Sequence, residues 1–157
     1  MIAPRPLTAE AFRPFGDVLE ATGEPDRIIN QGLCGRFHDR ARLDFGDGRA
    51  GVSIFEAKPR SLPYRLEMVE RHPAGSQAFV PMSHAPFLVI VAEGAGARPG
   101  PVHAFLSEPG QAINLLRGTW HGVLTPLHAP GLFAVIDRIG DGANLEEHWY
   151  DHPLTIG

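Results

Sequence analysis

An all-β fold is predicted for this 157-residue chain, and three observations predict it. Short apolar or alternating runs recur along the chain. Gly or Pro punctuates nearly every gap between them. No stretch has the length and helical periodicity that a crossover helix between parallel strands requires. Many short strands separated by such turns argue for a sandwich or a barrel.

At the N-terminus, Thr8 is placed to cap a short helix beginning TAEAF. Glu10 lies in its first turn, where the helix dipole favours a carboxylate, and Pro14 and Gly16 limit it to about two turns. Residues Glu24 to Arg36 read as irregular, because Pro25, Asn30, Gly32 and Gly35 crowd together. Gly51 to Phe55 has strand propensity. Leu62, Tyr64, Leu66 and Met68 alternate with Pro63, Arg65 and Glu67, the period of a half-buried strand, with Pro63 at an edge or at its beginning. Gln77 to Val80, the continuously apolar Phe87 to Ala92, Val102 to Leu106, Gln111 to Leu116 and Leu132 to Ile136 complete the series. Asp141 to Tyr150 reads as a turn or short helix, with Trp149 and Tyr150 packing it against the body or a second subunit.

The length fits one domain over residues 1–157 with a sizeable core. Formal net charge is -4, from 14 basic and 18 acidic residues. There is no basic stripe, which argues against a nucleic-acid partner. Lys58 is the only lysine; the other basic residues are arginines, whose planar forks suit carboxylates. The single cysteine, Cys34, excludes an internal disulfide and a thiolate metal site. The opening MIAPRPLTAEAF lacks the apolar run of a signal peptide, and no stretch is long and apolar enough to span a bilayer, so no membrane partner and a cytoplasmic location are expected.

Eight histidines are present, but there is no HExxH pair, no GxSxG elbow and no GxGxxG fingerprint. A polar site must therefore be assembled from separate strands. Glu70 and His72 are two apart, so on a strand they share a face. His121 follows much later, after Leu116-Arg117-Gly118-Thr119-Trp120. Glu70-Arg71-His72 with Gln77, and Gly118 with His121, resemble variants of the two cupin motifs, with Glu70 in place of a histidine and Leu116 in place of a proline. That resemblance implies a double-stranded β-helix, a jelly-roll barrel, with the short N-terminal helix outside it. One carboxylate and two imidazoles suit a divalent first-row metal. The same residues also read as polar positions on a solvent-facing strand.

Longer motifs narrow the resemblance. Ile28-Ile29-Asn30-Gln31-Gly32, Arg36-Phe37-His38-Asp39, Glu70-Arg71-His72-Pro73, Ser76-Gln77-Ala78-Phe79, Asn114, Gly118-Thr119-Trp120-His121 and Asp137-Arg138 together resemble the ureidoglycolate lyase family, formerly called ureidoglycolate hydrolase. The likeness runs over nearly the whole chain. Gly122 and Val123 depart from it, standing where the family commonly has a second histidine and a proline. The resemblance implies cleavage of (S)-ureidoglycolate to glyoxylate and urea, in allantoin and purine breakdown, by a homodimer with which nickel is associated.

The expected site follows. His72 and His121 are the catalytic candidates, and Glu70, His72 and His121 the metal ligands. Arg36, His38, Gln77 and Asn114 are expected to bind substrate. Arg71, Arg117 and Arg138 rank below Arg36 as carboxylate anchors, Arg71 because it alternates away from His72. Three other readings stay open on sequence alone: another small-carboxylate cupin enzyme, a ureidoglycolate amidohydrolase, and a non-catalytic glyoxylate-binding barrel.

Overall fold

A computed structural model describes residues 1–157. Fourteen strands and one helix follow the chain. β1 is Arg5–Pro6, α1 Ala9–Phe12, β2 Gly16–Leu19, β3 Arg27–Ile29, β4 Cys34–Arg36, β5 Arg49–Glu56 and β6 Tyr64–Arg71. β7 is Gln77–Pro81, β8 Phe87–Ala92, β9 Val102–Leu106, β10 Ala112–Leu115 and β11 Trp120–His121. β12 is Thr125–Pro126, β13 Leu132–Ile139 and β14 Glu146–Ile156. No helix is long and apolar enough to cross a membrane.

The mostly-β expectation holds, as does the helix start: the Thr8 hydroxyl accepts from the Ala11 amide at 3.2 Å. The helix makes a single turn before Pro14, half the expected length. The closed cupin-like jelly-roll barrel is overturned. A seven-stranded sheet runs β1-β9-β8-β11-β6-β14, with β12 also on β8, and a five-stranded sheet runs β2-β10-β7-β13-β5. Each begins and ends on an edge strand. Closing the larger sheet would require its first and last strands to form a ladder. They form none: only Ile2, ahead of β1, reaches β14, in an isolated bridge with Ile156, and Pro4 and Pro6 bring no amide hydrogens to extend it.

Alternation along the strands sorts side chains into two cores. Phe87, Val89 and Val91 of β8 join Phe79 of β7, Ile113 and Leu115 of β10, and Phe133 and Val135 of β13 between the sheets. Leu88, Ile90 and Ala92 point the other way, into a second cluster with Leu66, Trp120 and Ile156. β8 is buried on both faces, which explains why its sequence is continuously apolar.

Two segments depart from the sequence reading. Residues 24–36 hold the β3–β4 hairpin, a separate two-stranded sheet, whose turn has positive φ at Asn30 (53°) and Gln31 (57°). Residues 141–150 are neither wholly turn nor helix, because β14 starts at Glu146. That strand pairs with β6 along an edge, with a register shift between Trp149 and Leu154.

Candidate functional site

The last residues of β6 decide the site. Glu70 lies directly opposite His121 of β11, and His121 lines the space between the sheets with Phe79, Phe87 and Leu115. Glu70 and His121 therefore face the interior together, and His72 follows Glu70 onto the same side. Ligating atoms of Glu70, His72 and His121 all lie within 4.8 Å of one another. Glu70 Oε1 is 4.0 Å from His72 Nε2, and the two imidazole centroids are 5.2 Å apart. Arg71 alternates outward, as expected. Its guanidinium lies 4.3 Å from the Trp120 ring centroid and pairs with Glu146 at 2.6 Å.

Both histidines are held through Nδ1. That of His72 lies 2.9 Å from the Asn144 carbonyl, and that of His121 lies 2.9 Å from the carbonyl of Gly122. A carbonyl only accepts, so each Nδ1 carries a hydrogen, and in the neutral ring Nε2 is the nitrogen that presents a lone pair. Both Nε2 atoms are buried and without a hydrogen-bond partner. Two fixed, unpartnered imidazole nitrogens beside a carboxylate fit the donor set of a divalent first-row metal. Electrostatics agree: burial pushes the His121 pKa down to about 4, with the nearby His72 adding to the shift against the Gly122 carbonyl. Burial also pushes Glu70 up, opposed by His72 and reinforced by Glu147.

The turn between β10 and β11 supports this arrangement. Gly118 has φ 76°, favourable only to glycine, and its amide donates to the His72 carbonyl at 3.0 Å. Gly122 is closely packed: an added Cβ would sit 3.1 Å from Cβ of Ile90, which would have to give way by a few tenths of an ångström.

The substrate-binding candidates separate. Gln77 is buried at the start of β7, on the same face as Phe79, and donates from Nε2 to Asp137 Oδ2 at 3.1 Å. Asn114 is fully buried but alternates to the far face of its sheet, donating to Asp17 at 3.0 Å and to the Arg42 carbonyl at 3.2 Å. Arg36 is exposed on β4, and His38 follows it, its amide bonded to Asp26 at 2.8 Å. Neither is brought to the triad. Of the remaining arginines, Arg117 pairs with Asp44 at 2.8 Å and Arg138 with Asp47 at 2.6 Å.

The largest concavity, about 610 Å³, lies beyond the β10–β11 turn, lined by Phe15, Glu93, Leu116 and Arg117 among others. Its cation is engaged by Asp44 and none of the three clustered ligands lines it, whereas His121 lines the smaller interior space. Beside His121 that space is about 20 Å³, room for about one water. The cluster is open to solvent on the Glu70 and His72 side, where side chains are 22% and 19% exposed.

Asn144 was missed from sequence. Its carbonyl fixes His72, and its side chain accepts from the Ala74 amide at 2.8 Å. A backbone carbonyl acting across 72 residues leaves no signal in residue type.

The Ureidoglycolate lyase family model matches residues 1–157. The chain belongs to the ureidoglycolate lyase family. It is 60% identical to the ureidoglycolate lyase of Rhodobacter capsulatus over 96% of this chain and 94% of that one. It is 49% identical to that of Chelativorans sp., covering 99% and 95%, and 47% identical to ureidoglycolate lyase 2 of Rhizobium meliloti, covering 97% and 94%. Family membership therefore extends over both sheets and all three clustered side chains.

Proposed function

We propose that this chain, as a single domain, is a carbon–nitrogen lyase that splits (S)-ureidoglycolate into glyoxylate and urea in allantoin and purine breakdown. The observation that carries the chemistry is the pair of unpartnered Nε2 lone pairs facing Glu70. Relatives bearing the ureidoglycolate lyase name supply the substrate.

The substrate is a hemiaminal: one carbon carries a hydroxyl, a carboxylate and the ureido nitrogen. Loss of the hydroxyl proton lets that oxygen form the aldehyde carbonyl as the carbon–nitrogen bond breaks. The departing nitrogen takes a proton and leaves as urea, with no water consumed. His72, the more exposed imidazole, receives the hydroxyl proton at Nε2. Glu70, whose burial favours the protonated form, returns one to the nitrogen.

Glu70, His72 and His121 would also hold a divalent ion, nickel in this reading. When bound, the ion supplies a Lewis acid that lowers the pKa of an oxygen it holds. Ligation and general-base action exclude each other at one nitrogen, and nickel dependence separates them.

Gln77 is the ureido contact in this reading. The enzyme acts in the cytoplasm as a homodimer. Support for the dimer comes from the outer face of the five-stranded sheet. Val52 and Ile54 are 71% and 59% exposed, opposite Ile136 and Ala134 in register, with Ala78 and Val80 on the next strand. A sheet apolar on both faces needs a cover on both. A second copy would also be the means of bringing the exposed Arg36 and His38 to a site.

Product analysis tests the reading, on purified protein with racemic ureidoglycolate, chelated and then with or without nickel. Equal urea and glyoxylate from half of the racemate are expected, and His72→Ala and His121→Ala should each abolish turnover while staying folded. Near-normal activity in both variants would remove the site assignment. Ammonia instead of urea would indicate an amidohydrolase, and no turnover a binding protein.

A further inference from the structure

The polar atoms that face the interior at the site end of the molecule share one property. Glu70 apart, each is held with its accepting atom toward the interior. Carbonyls hold the two Nδ1 atoms and leave both Nε2 lone pairs bare. The third case is Gln77. An amide has one accepting and one donating end, and which end meets a ligand depends on what holds the other. Asp137 lies directly opposite Gln77 in the β7–β13 register, and its carboxylate receives Gln77 Nε2 at 3.1 Å. A carboxylate accepts, so the amide cannot invert without placing two oxygens together. Gln77 Oε1 is consequently turned away from Asp137, buried and without any partner. Native structures seldom leave a buried acceptor in that state unless a water, an ion or a ligand supplies the donor.

Its surroundings are those of the site. Phe79, on the same face of β7, and Leu115, the register partner of Gln77 on β10, line the same interior space as His121. The five residues 72–76 join the His72 end of β6 to Gln77 at the start of β7, so both sheets present these groups at one end of the molecule.

We propose that Asp137 is a positioning residue. It locks the Gln77 amide with its oxygen toward the substrate, so that the site selects the N–H donors of a terminal carbamoyl group. The inference rests on the ureidoglycolate lyase reading and assigns the group that recognises the ureido end.

Two unreactive analogues test it, both lacking the hydroxyl. N-carbamoylglycine keeps the terminal NH₂; N-acetylglycine has a methyl there. As competitive inhibitors of ureidoglycolate cleavage, the carbamoyl compound should bind the wild type about tenfold more tightly, the value of one well-made hydrogen bond. Asp137→Asn can donate to Oε1 and release the amide to invert. The preference should then fall to about one, with KM for ureidoglycolate rising about tenfold and kcat changing less. The exchanged pair Gln77→Glu with Asp137→Asn keeps the charge and an inward acceptor, and should restore the preference.

No preference in the wild type overturns the inference, and that measurement stands even where a variant fails to fold. So does an unchanged preference in a folded Asp137→Asn protein. Absence of wild-type turnover would instead overturn the functional reading, before any variant is made.

Discussion

His121 combines a place in the proposed site with the environment of a core residue. It is 3% exposed and surrounded by apolar side chains on the inner side of β11. Burial holds its folded pKa near 4, against an ordinary 6.5. Between those values the unfolded chain binds the proton and the folded chain does not. Stability contributed by the neutral ring is therefore present above about pH 6.5 and is lost as pH falls toward about 4. The loss is at most roughly 3 kcal/mol. Glu70 acts with the opposite sign, since its raised pKa favours folding as it becomes protonated. The difference between proteins isolates the histidine: in chelator-treated samples, His121→Asn should flatten the stability-versus-pH slope between pH 4 and 6.5. Urea denaturation across that range measures it, and identical slopes for both proteins would refute a buried neutral His121.

At the level of elements, one outward side chain holds the site strand to its surroundings. Arg71 donates to Glu146 of β14 at 2.7 Å and to the Gly96 carbonyl of the β8–β9 loop at 2.8 Å, while lying over Trp120 of β11. Its side chain is 14% exposed, that of Glu146 46%, so the pair is only partly desolvated. Arg71→Met should cost about 2 kcal/mol in a denaturant titration. Arg71→Lys should recover less than half of that, because an ammonium keeps the charge but loses the planar fork and the stacking. Equal stability of the Lys variant and the wild type would mean that charge alone matters. Such clamping explains why Glu70 and His72, on either side of Arg71, hold a common orientation inward.

For the whole molecule, the covering of the five-stranded sheet is the open matter. Alternation sends Phe79, Phe133 and Val135 into the core. The intervening positions should be polar if they met only water, yet Val80, Ala134, Ile136, Val52 and Ile54 are apolar. The dimer reading predicts that Val52→Asp with Ile54→Asp lowers the mass in solution to that of one 17.0 kDa chain, as measured by sedimentation equilibrium, with the fold preserved. A wild type already monomeric at micromolar concentration would remove the proposal.

Local physics made much of this protein legible from its sequence. Period-two alternation located β6, the unbroken apolar run located β8, and Thr8 marked its helix start, because each depends on residues within a few positions of one another. The Glu70 and His72 pairing followed from strand geometry. The β3–β4 hairpin and the first half of β14 were not legible. Both are largely exposed, so neither carries the apolar alternation that burial imposes. Only tertiary structure decided the rest. Strand pairing, not residue type, set β11 against Glu70, and burial by other strands stripped Nε2 of its partners. Asn144 and Asp137 became supports through contacts made across tens of residues. Closure failed for a similar reason: turn signals and alternation specify strands, but whether a sheet returns on itself depends on how its first and last strands meet.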